Sequence, residues 1–293
     1  MTPLSENGPG DLPGRTSMAT PPDLSGELLT VRSGLVRSAR RLARRAARVE
    51  DRLFLAEGPQ AVREALTVPG CVRQVFAVPP AAEAHRDVHA AAGEERVPWL
   101  LVDDRALAAL TETVRPQGLV AVCAFVDRPL ADLLAGHPTL VALCADIRDP
   151  GNAGTVIRCA DAAGSDGVVL AGSSVDPYNG KAVRASAGSL FHLPMALEAG
   201  TSAVVTALKH DGMTVLAADG AGELELEAAV DAGMLSGRTA WLFGNEAWGL
   251  PDELARLADH RVRIAIHGRA ESLNLAAAAA VCLYASARAR RRA

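Results

Sequence analysis

Three polar clusters begin where apolar runs of the chain end, and they carry most of its candidate chemistry. TLVALCA runs into DIRDPGNAGTVIRCADAAG, with Asn152 and Arg158; TAWLF into GNEAWGL, with Gly244 and Glu246; HRVRIAI into HGRAESLN, with Ser272 and Asn274. Arg158 sits between Ile157 and Cys159, and a guanidinium among apolar neighbours is costly unless a carboxylate, phosphate or carbonyl meets it. Two readings follow: a buried ion pair with Glu246 or Asp161, or a cation held for a ligand. Glu246 could cap the turn after it, hold a substrate hydroxyl or orient Arg158. Gly244 directly follows its apolar run, which lets a ligand or another stretch of chain approach the backbone. Ser272 suits a helix N-cap and Asn274 a first helical turn, where unpaired N–H groups point outward.

These clusters need elements to bring them together. TLVALCA and GVVLAG are continuous apolar runs, as strands buried on both faces should be. With MTVLAAD, TAWLFG and HRVRIAI they predict a mostly parallel sheet, with helices at 152–163, 202–210, 251–258 and 273–290. Sheets of this kind bind ligands at the carboxyl ends of their strands, which is where all three clusters fall. The last helix is mostly alanine. Alanine forms helix best but supplies little apolar bulk, so such a stretch suits a place where backbone or a flat ligand comes close.

The first half alternates differently. LFLAEG, VRQVFAV, VPWLLV and GLVAVCAF read as strands, separated by helices in PQAVREAL, AAEAHRDVHAAA and DDRALAALTE. The expected organisation is a disordered Pro-, Gly- and Ser-rich tail at 1–26, an αβ domain at 27–126, a linker at 127–138 and a second domain at 139–293. From Ser33 to Arg52, Leu35, Ala39, Leu42, Ala46, Val49 and Leu53 recur at helical spacing. Arg37, Arg40, Arg41, Arg44, Arg45 and Arg48 fill the other faces, as a solvated surface or a nucleic-acid contact.

Composition narrows the classes. The 293 residues carry a net charge of −4, yet arginines cluster at 32–52 and again at 288–292, and local patches govern contact with polyanions. The five cysteines include no CxxC pair and read as small buried hydrophobes, neither a disulfide frame nor a metal site. No metal-ligand cluster is evident. The longest apolar run, Leu275 to Ala285, is shorter than the roughly 20 residues a membrane helix needs. With no signal-peptide pattern at the start, a soluble cytoplasmic protein is expected. The G-x-G-x-x-G of a dinucleotide fold and the G-x-x-x-x-G-K-[ST] of a P-loop are both absent.

In this order NAGTVIRCADAAG, FGNEAWGL and IAIHGRAESLNLAAAAAVCLYA resemble the three motifs of the SpoU (TrmH-type) RNA ribose 2′-O-methyltransferases. RLFLAEGPQAVREAL and RPQGLVAVCAF are similar to the substrate-binding domain often fused to them, so the resemblance spans about 34–290. It implies an α/β fold: a C-terminal trefoil-knot (SPOUT-type) domain that binds S-adenosylmethionine, behind a smaller RNA-binding-like αβ domain. It further implies that Gly244, Ile264 and Leu273 line the cofactor. Arg158 would be essential for activating the ribose hydroxyl, as base or as electrostatic clamp, with Asn152, Glu246, Ser272 and Asn274 placing the reacting groups. Free arginine is a poor base, protonated far above neutrality. No metal is implied. The implied partners are RNA, ribosomal before transfer RNA, and a second copy of the chain meeting through the knotted domain. A non-catalytic RNA-binding protein on the same scaffold is the other reading. Ala265 stands where many members carry proline and Ile266 where methionine is common.

Overall fold

The computed structural model describes residues 28–291; the expected disordered tail at 1–26 and Arg292 of the last basic cluster lie outside them. Helices α1 (Gly34–Arg41) and α2 (Arg45–Asp51) lead into a sheet of β1 (Leu53–Glu57), β2 (Val72–Ala77), β3 (Trp99–Leu101) and β4 (Leu119–Ala124). Its order is β1-β4-β2-β3, antiparallel except for the β2–β3 pair. Helices α3 (Pro59–Leu66), α4 (Pro79–Ala84), α5 (Arg86–Glu94) and α6 (Asp104–Leu110) connect the strands. Prolines open α3 and α4 at the position where a missing N–H costs nothing.

The segment 127–138, expected as a linker, folds in part as α7 (Leu130–Ala135), whose Leu133 is buried. Then come β5 (Leu140–Ala145), α8 (Pro150–Ala163), β6 (Gly167–Ala171), α9 (Gly180–Ser186), a 3₁₀ turn at Ser189–Phe191 and β7 (Met195–Glu198). The chain continues through α10 (Thr201–His210), β8 (Thr214–Ala218), β9 (Leu224–Glu225), α11 (Leu226–Asp231), β10 (Thr239–Phe243), α12 (Asp252–Ala255), β11 (His260–Arg263) and α13 (Leu275–Arg290). The second sheet has the order β7-β6-β5-β10-β8-β11-β9 and every pair in it is parallel. Every residue of β5, β6 and β10 is buried, which explains their unbroken apolar sequence. Parallel strands share a carboxyl edge, so the loops after β5, β10 and β11 are gathered on one side.

Two close approaches fix the helices there. A Cβ on Gly154 of α8 would lie 2.3 Å from the Ala182 carbonyl of α9, so only glycine lets the two helices meet. On α13 the small residues Ala276, Ala279 and Ser286 are buried, and Ser286 Oγ accepts a 2.8 Å hydrogen bond from the buried Trp241 indole of β10. Alanine here permits contact rather than filling space. Among the described residues no helix is long and apolar enough to cross a membrane, and no His, Cys, Asp and Glu group could hold a metal ion.

The expected amphipathic helix over Ser33–Arg52 is corrected. It breaks at Leu42–Arg44: α1 turns Val36 inward and leaves Leu35 exposed, and α2 restarts with a new phase that buries Ala47 and Arg48 and exposes Val49. Arg48 is no surface charge. Its Nε and Nη2 donate to Asp176 at 2.9 and 2.7 Å, and its Nη1 to the carbonyls of Leu42 and Ala43 at 2.9 Å each. That fork pins α2 to the loop after β6. Nearby, the Tyr178 hydroxyl accepts from the N–H groups of Val126 and Asp127 and donates to the Asp127 carboxylate at 2.7 Å. Burial, followed by the neighbouring Asp127, pushes the Tyr178 hydroxyl far above its ordinary range.

A third tie is titratable. His192 Nδ1 lies 2.7 Å from Asp161 of α8 and Nε2 3.1 Å from Glu64 of α3. Asp161 above all, then Glu64, hold its pKa above the ordinary 6.5 although burial opposes them. A raised histidine stabilises fully below its unfolded pKa and loses that contribution as pH rises through the folded value. Thermal melts from about pH 6 to about pH 9 should therefore show the wild type losing its advantage over His192→Gln as pH rises. A gap between the two proteins that does not change with pH would remove the ionic tie.

Candidate active site

Two of the three loops meet at one carboxylate, and the third joins them through Asn152. Glu246 Oε2 accepts from the Arg148 N–H at 3.0 Å, and Oε1 accepts from the Asp149 N–H at 3.0 Å and the Asn152 side-chain amide at 3.1 Å. Burial alone would raise the Glu246 pKa, but these donors outweigh it and hold the carboxyl below its ordinary 4.5. Asn274 Nδ2 then donates to Asn152 Oδ1 at 3.0 Å. Glu246, Asn152 and Asn274 thus form a single relay joining the loop after β10, the start of α8 and the start of α13. Glu246 does not cap its own turn; its acceptors satisfy main chain that precedes α8.

Asn274, not Ser272, caps α13. Its Oδ1 accepts from the N–H groups of Ala276 at 2.9 Å and Ala277 at 3.3 Å, so the helix begins two residues later than its sequence pattern suggests. Ser272 lies exposed in the preceding loop. Arg158 is exposed on α8, and neither expected ion pair forms: Glu246 is committed to the relay and Asp161 to His192. Among the described residues Arg158 has no hydrogen-bonding or ionic partner. It stands six residues beyond Asn152, about 9 Å along a helix axis.

The remaining expected residues occupy different settings. Gly244 is buried, and a Cβ on it would lie 2.4 Å from the Gly249 backbone, so two limbs of this loop touch through main chain alone. Ile264 is half-buried at the end of β11, and Leu273 is exposed. From Ala265 to Leu273 the main chain enters no helix or strand and donates no hydrogen bond to other backbone. That leaves a run of amide groups open to a ligand beside the exposed Leu273.

Three supporting residues escaped the sequence reading. Asp149 caps α8 through the Asn152 N–H at 2.9 Å and pairs with Lys181 at 2.7 Å; Lys181, chiefly, lowers its pKa. An Asp followed by Pro is a helix-start signal, so this cap could have been found. Asn245 is buried; its amide donates to the Asp146 carbonyl at 2.6 Å and its Oδ1 accepts from Ala247 at 2.8 Å. Asp146 itself has a positive φ of 56° and accepts from Ser173 at 2.7 Å. No local pattern announces either contact.

A parallel sheet presenting polar loops at one edge, beside a smaller mixed-sheet unit, defines an α/β ligand-binding protein of two-part construction. Residues 139–284 match the SpoU rRNA Methylase family, and residues 34–121 match the MRM3-like substrate binding domain. The chain belongs to the SpoU family. It is 33% identical over 249 residues to the 23S rRNA (guanosine(2553)-2′-O)-methyltransferase RlmP of Bacillus subtilis, covering 85% of this chain and 94% of that protein. The AdoMet-bound rRNA methyltransferase structure from Sinorhizobium meliloti aligns with a TM-score of 0.76 at 32% identity, covering 90% of this chain and 98% of the other. The structure of the SpoU methyltransferase AviRb from Streptomyces viridochromogenes with AdoMet aligns at 0.77 and 27% identity, covering 89% and 100%.

Asn274→Ala should lower folding stability by about 1 kcal/mol, the usual worth of an N-cap. Asn274→Ser should restore most of that loss, because serine also caps. Urea denaturation decides it: a serine variant no more stable than the alanine one would deny Asn274 its capping role.

Proposed function

We propose that this chain transfers a methyl group from S-adenosylmethionine to a ribose 2′-hydroxyl of RNA, with ribosomal RNA as the substrate class. The carrying observation is the Glu246–Asn152–Asn274 relay, which draws the three family motif segments into one site, with Arg158 uncommitted about 9 Å further along α8. The site fits the cofactor. Open main-chain groups over 265–273 suit the edge of a flat adenine, and Ile264 and Leu273 supply apolar contact for its face.

S-adenosylmethionine supplies a methyl group already activated by a sulfonium charge. What remains for the protein is to orient a hydroxyl in line with that methyl and to help remove its proton. With the cofactor held at 265–273, its methyl would pass from sulfur to the ribose oxygen, and the hydroxyl proton would leave to a substrate phosphate or to water. Glu246 is already occupied by three donors, so its part is to fix the Arg148–Asn152 segment. Asn152 and Asn274 hold the starts of α8 and α13 in register. Arg158 takes the substrate side, where an unpaired guanidinium can bind phosphate and hydroxyl oxygen. Ser272 is exposed at the mouth of the same loop and lies within the substrate side of this reading.

The assembly we infer is a homodimer through the second domain, which we also read as threaded into a trefoil knot. What supports both readings is that α13, following β11, packs against α8, with Asn274 at its start bonded to Asn152. Its outer face then carries Ala277, Val281 and Tyr284, exposed at helical spacing with no cover, the last at 52%. A second copy would bury that strip.

Arg158→Ala should lower methyl transfer to rRNA by about 10²- to 10⁴-fold, the range of a lost proton-transfer group. Binding of S-adenosylmethionine by calorimetry should remain. Unchanged turnover would remove Arg158 from the mechanism. In light scattering, Val281→Glu should turn a dimeric protein monomeric; a variant that stays dimeric would place the interface elsewhere.

A further inference from the structure

A second concave surface lies on the carboxyl edge of the parallel sheet, beyond the site just described. It is a cleft of about 300 Å³ between α2 and the ends of β6 and β7, lined among others by Arg45, Val49, Arg52, Phe125, Ser174 and Leu197. Ala145 of β5 pairs with Ala171 of β6, and Ala171 with Glu198 of β7. At about 4.8 Å per strand the cleft is one to two strand widths from the chain that enters α8. The Ser173 N–H, at 2.7 Å from Asp146, joins the two loops directly.

The cleft is built and rigid. Arg48 and Asp176 clamp α2 to its far wall through the buried fork described above. Within it Phe125 stacks on Tyr178 with ring centroids 3.8 Å apart and an angle of 17° between planes. On Phe125 lies the Arg52 guanidinium, 4.6 Å from the ring centroid. The same guanidinium donates to both oxygens of Asp127, at 3.2 and 3.1 Å, yet its side chain is 59% exposed. It is therefore oriented at little further entropic cost, with surface left open to solvent.

Arg52 also occupies an unusual backbone position. It ends α2 with φ 53° and ψ 38°, the left-handed conformation that glycine or asparagine adopts more readily. Leading up to the cleft, residues 32–52 hold eight arginines against two carboxylates, Glu50 and Asp51, in a chain whose net charge is −4. Arg37, Arg40, Arg44 and Arg45 are exposed and free of ion pairs among the described residues.

We propose that this cleft is a nucleotide subsite for single-stranded RNA, in which an unpaired base stacks on the Arg52 guanidinium while Arg45 and the arginines of α1 take the phosphates. The base would belong to a nucleotide flanking the one at the relay, so the subsite selects the RNA rather than performing the chemistry. Guanidinium planes over aromatic rings suit base stacking, and apolar Val49 and Leu197 suit its edges. The inference rests on the RNA-methyltransferase reading above.

Fluorescence anisotropy with a labelled octa-adenylate, and with an abasic ribose-phosphate oligomer of equal length, tests it. Arg52→Lys keeps the charge and the reach to Asp127 but loses the plane. It should weaken octa-adenylate binding about tenfold, within the range for a lost stacking contact, and leave the abasic oligomer unchanged. Arg45→Ala should weaken both oligomers alike and reduce the salt slope by about 1. Val49→Glu, at an exposed helical position, should abolish octa-adenylate binding without depending on the Arg52 cap for folding. Two outcomes overturn the subsite: wild type binding neither oligomer, or Arg52→Lys and Val49→Glu both binding octa-adenylate as wild type does. Methyl transfer to rRNA by the wild type is scored separately. Its persistence alongside either outcome would sink the subsite alone, and its absence alongside intact oligomer binding would sink the enzymatic reading.

Discussion

The Glu246 carboxylate holds the Arg148–Asn152 segment through two main-chain N–H groups and one side-chain amide, and the geometry of the site depends on that grip. Hydrogen bonds from neutral donors to a charged carboxylate are stronger than neutral pairs, and here they are shared between loops far apart in sequence. Asp149 gives its N–H to Glu246 and caps α8 with its carboxylate. Asn152, with its amide given to Glu246, offers its oxygen to Asn274, and Asn274 spends its own oxygen on the first N–H groups of α13. Each side chain is used at both ends. The arrangement fixes the two helix starts together, and Arg158, further along α8, is left without a protein partner among the described residues.

The two sheets are coupled by different physics. A buried ion pair such as Arg48–Asp176 gains little over apolar packing unless its remaining donors are satisfied. Here the guanidinium also reaches the Leu42 and Ala43 carbonyls, at the break between α1 and α2. The break therefore supplies acceptors that a continuous helix would have used internally. The Phe54, Phe125, Tyr178 and Phe191 rings pack around the same junction. In a chain poor in aromatic residues, their concentration here makes the junction rigid and sets the second domain's loops at a fixed distance from the arginines of α1 and α2.

The sheet strands could be read from the sequence because burial on both faces demands unbroken apolar runs, as in β5, β6 and β10. β7, with Leu197 exposed at the sheet edge, carries no such demand and was missed, as were α9 and α11. The Ser33–Arg52 pattern assumes one continuous helix; α1 instead buries Val36 beside Leu35, and the break then resets the phase in α2. Arg48 looked solvated because its partner Asp176 is 128 residues away. For the site, residue types and strand-end positions pointed to the right loops. The pairing among them did not follow: Glu246 was expected to cap its own turn, hold a substrate hydroxyl or orient Arg158, whereas the fold gives it the Asn152 amide and two main-chain donors that no side-chain pattern can announce.

The alanine helix shows why the site needs small residues as well as polar ones. The inner side of α13 lies on α8 and β10, where Ala276 and Ala279 allow close approach and Ser286 meets the Trp241 indole. Larger side chains there would lift the helix and pull Asn274 away from Asn152, breaking the relay at its last link. On the other side Val281 and Tyr284 are bulkier and uncovered. The small residues thus follow from the position of Asn274. A helix of 16 residues with Ala276, Ala279 and Ser286 at its inner contacts is therefore held by what those contacts allow, and its small side chains are a condition of the relay rather than a shortage of apolar bulk.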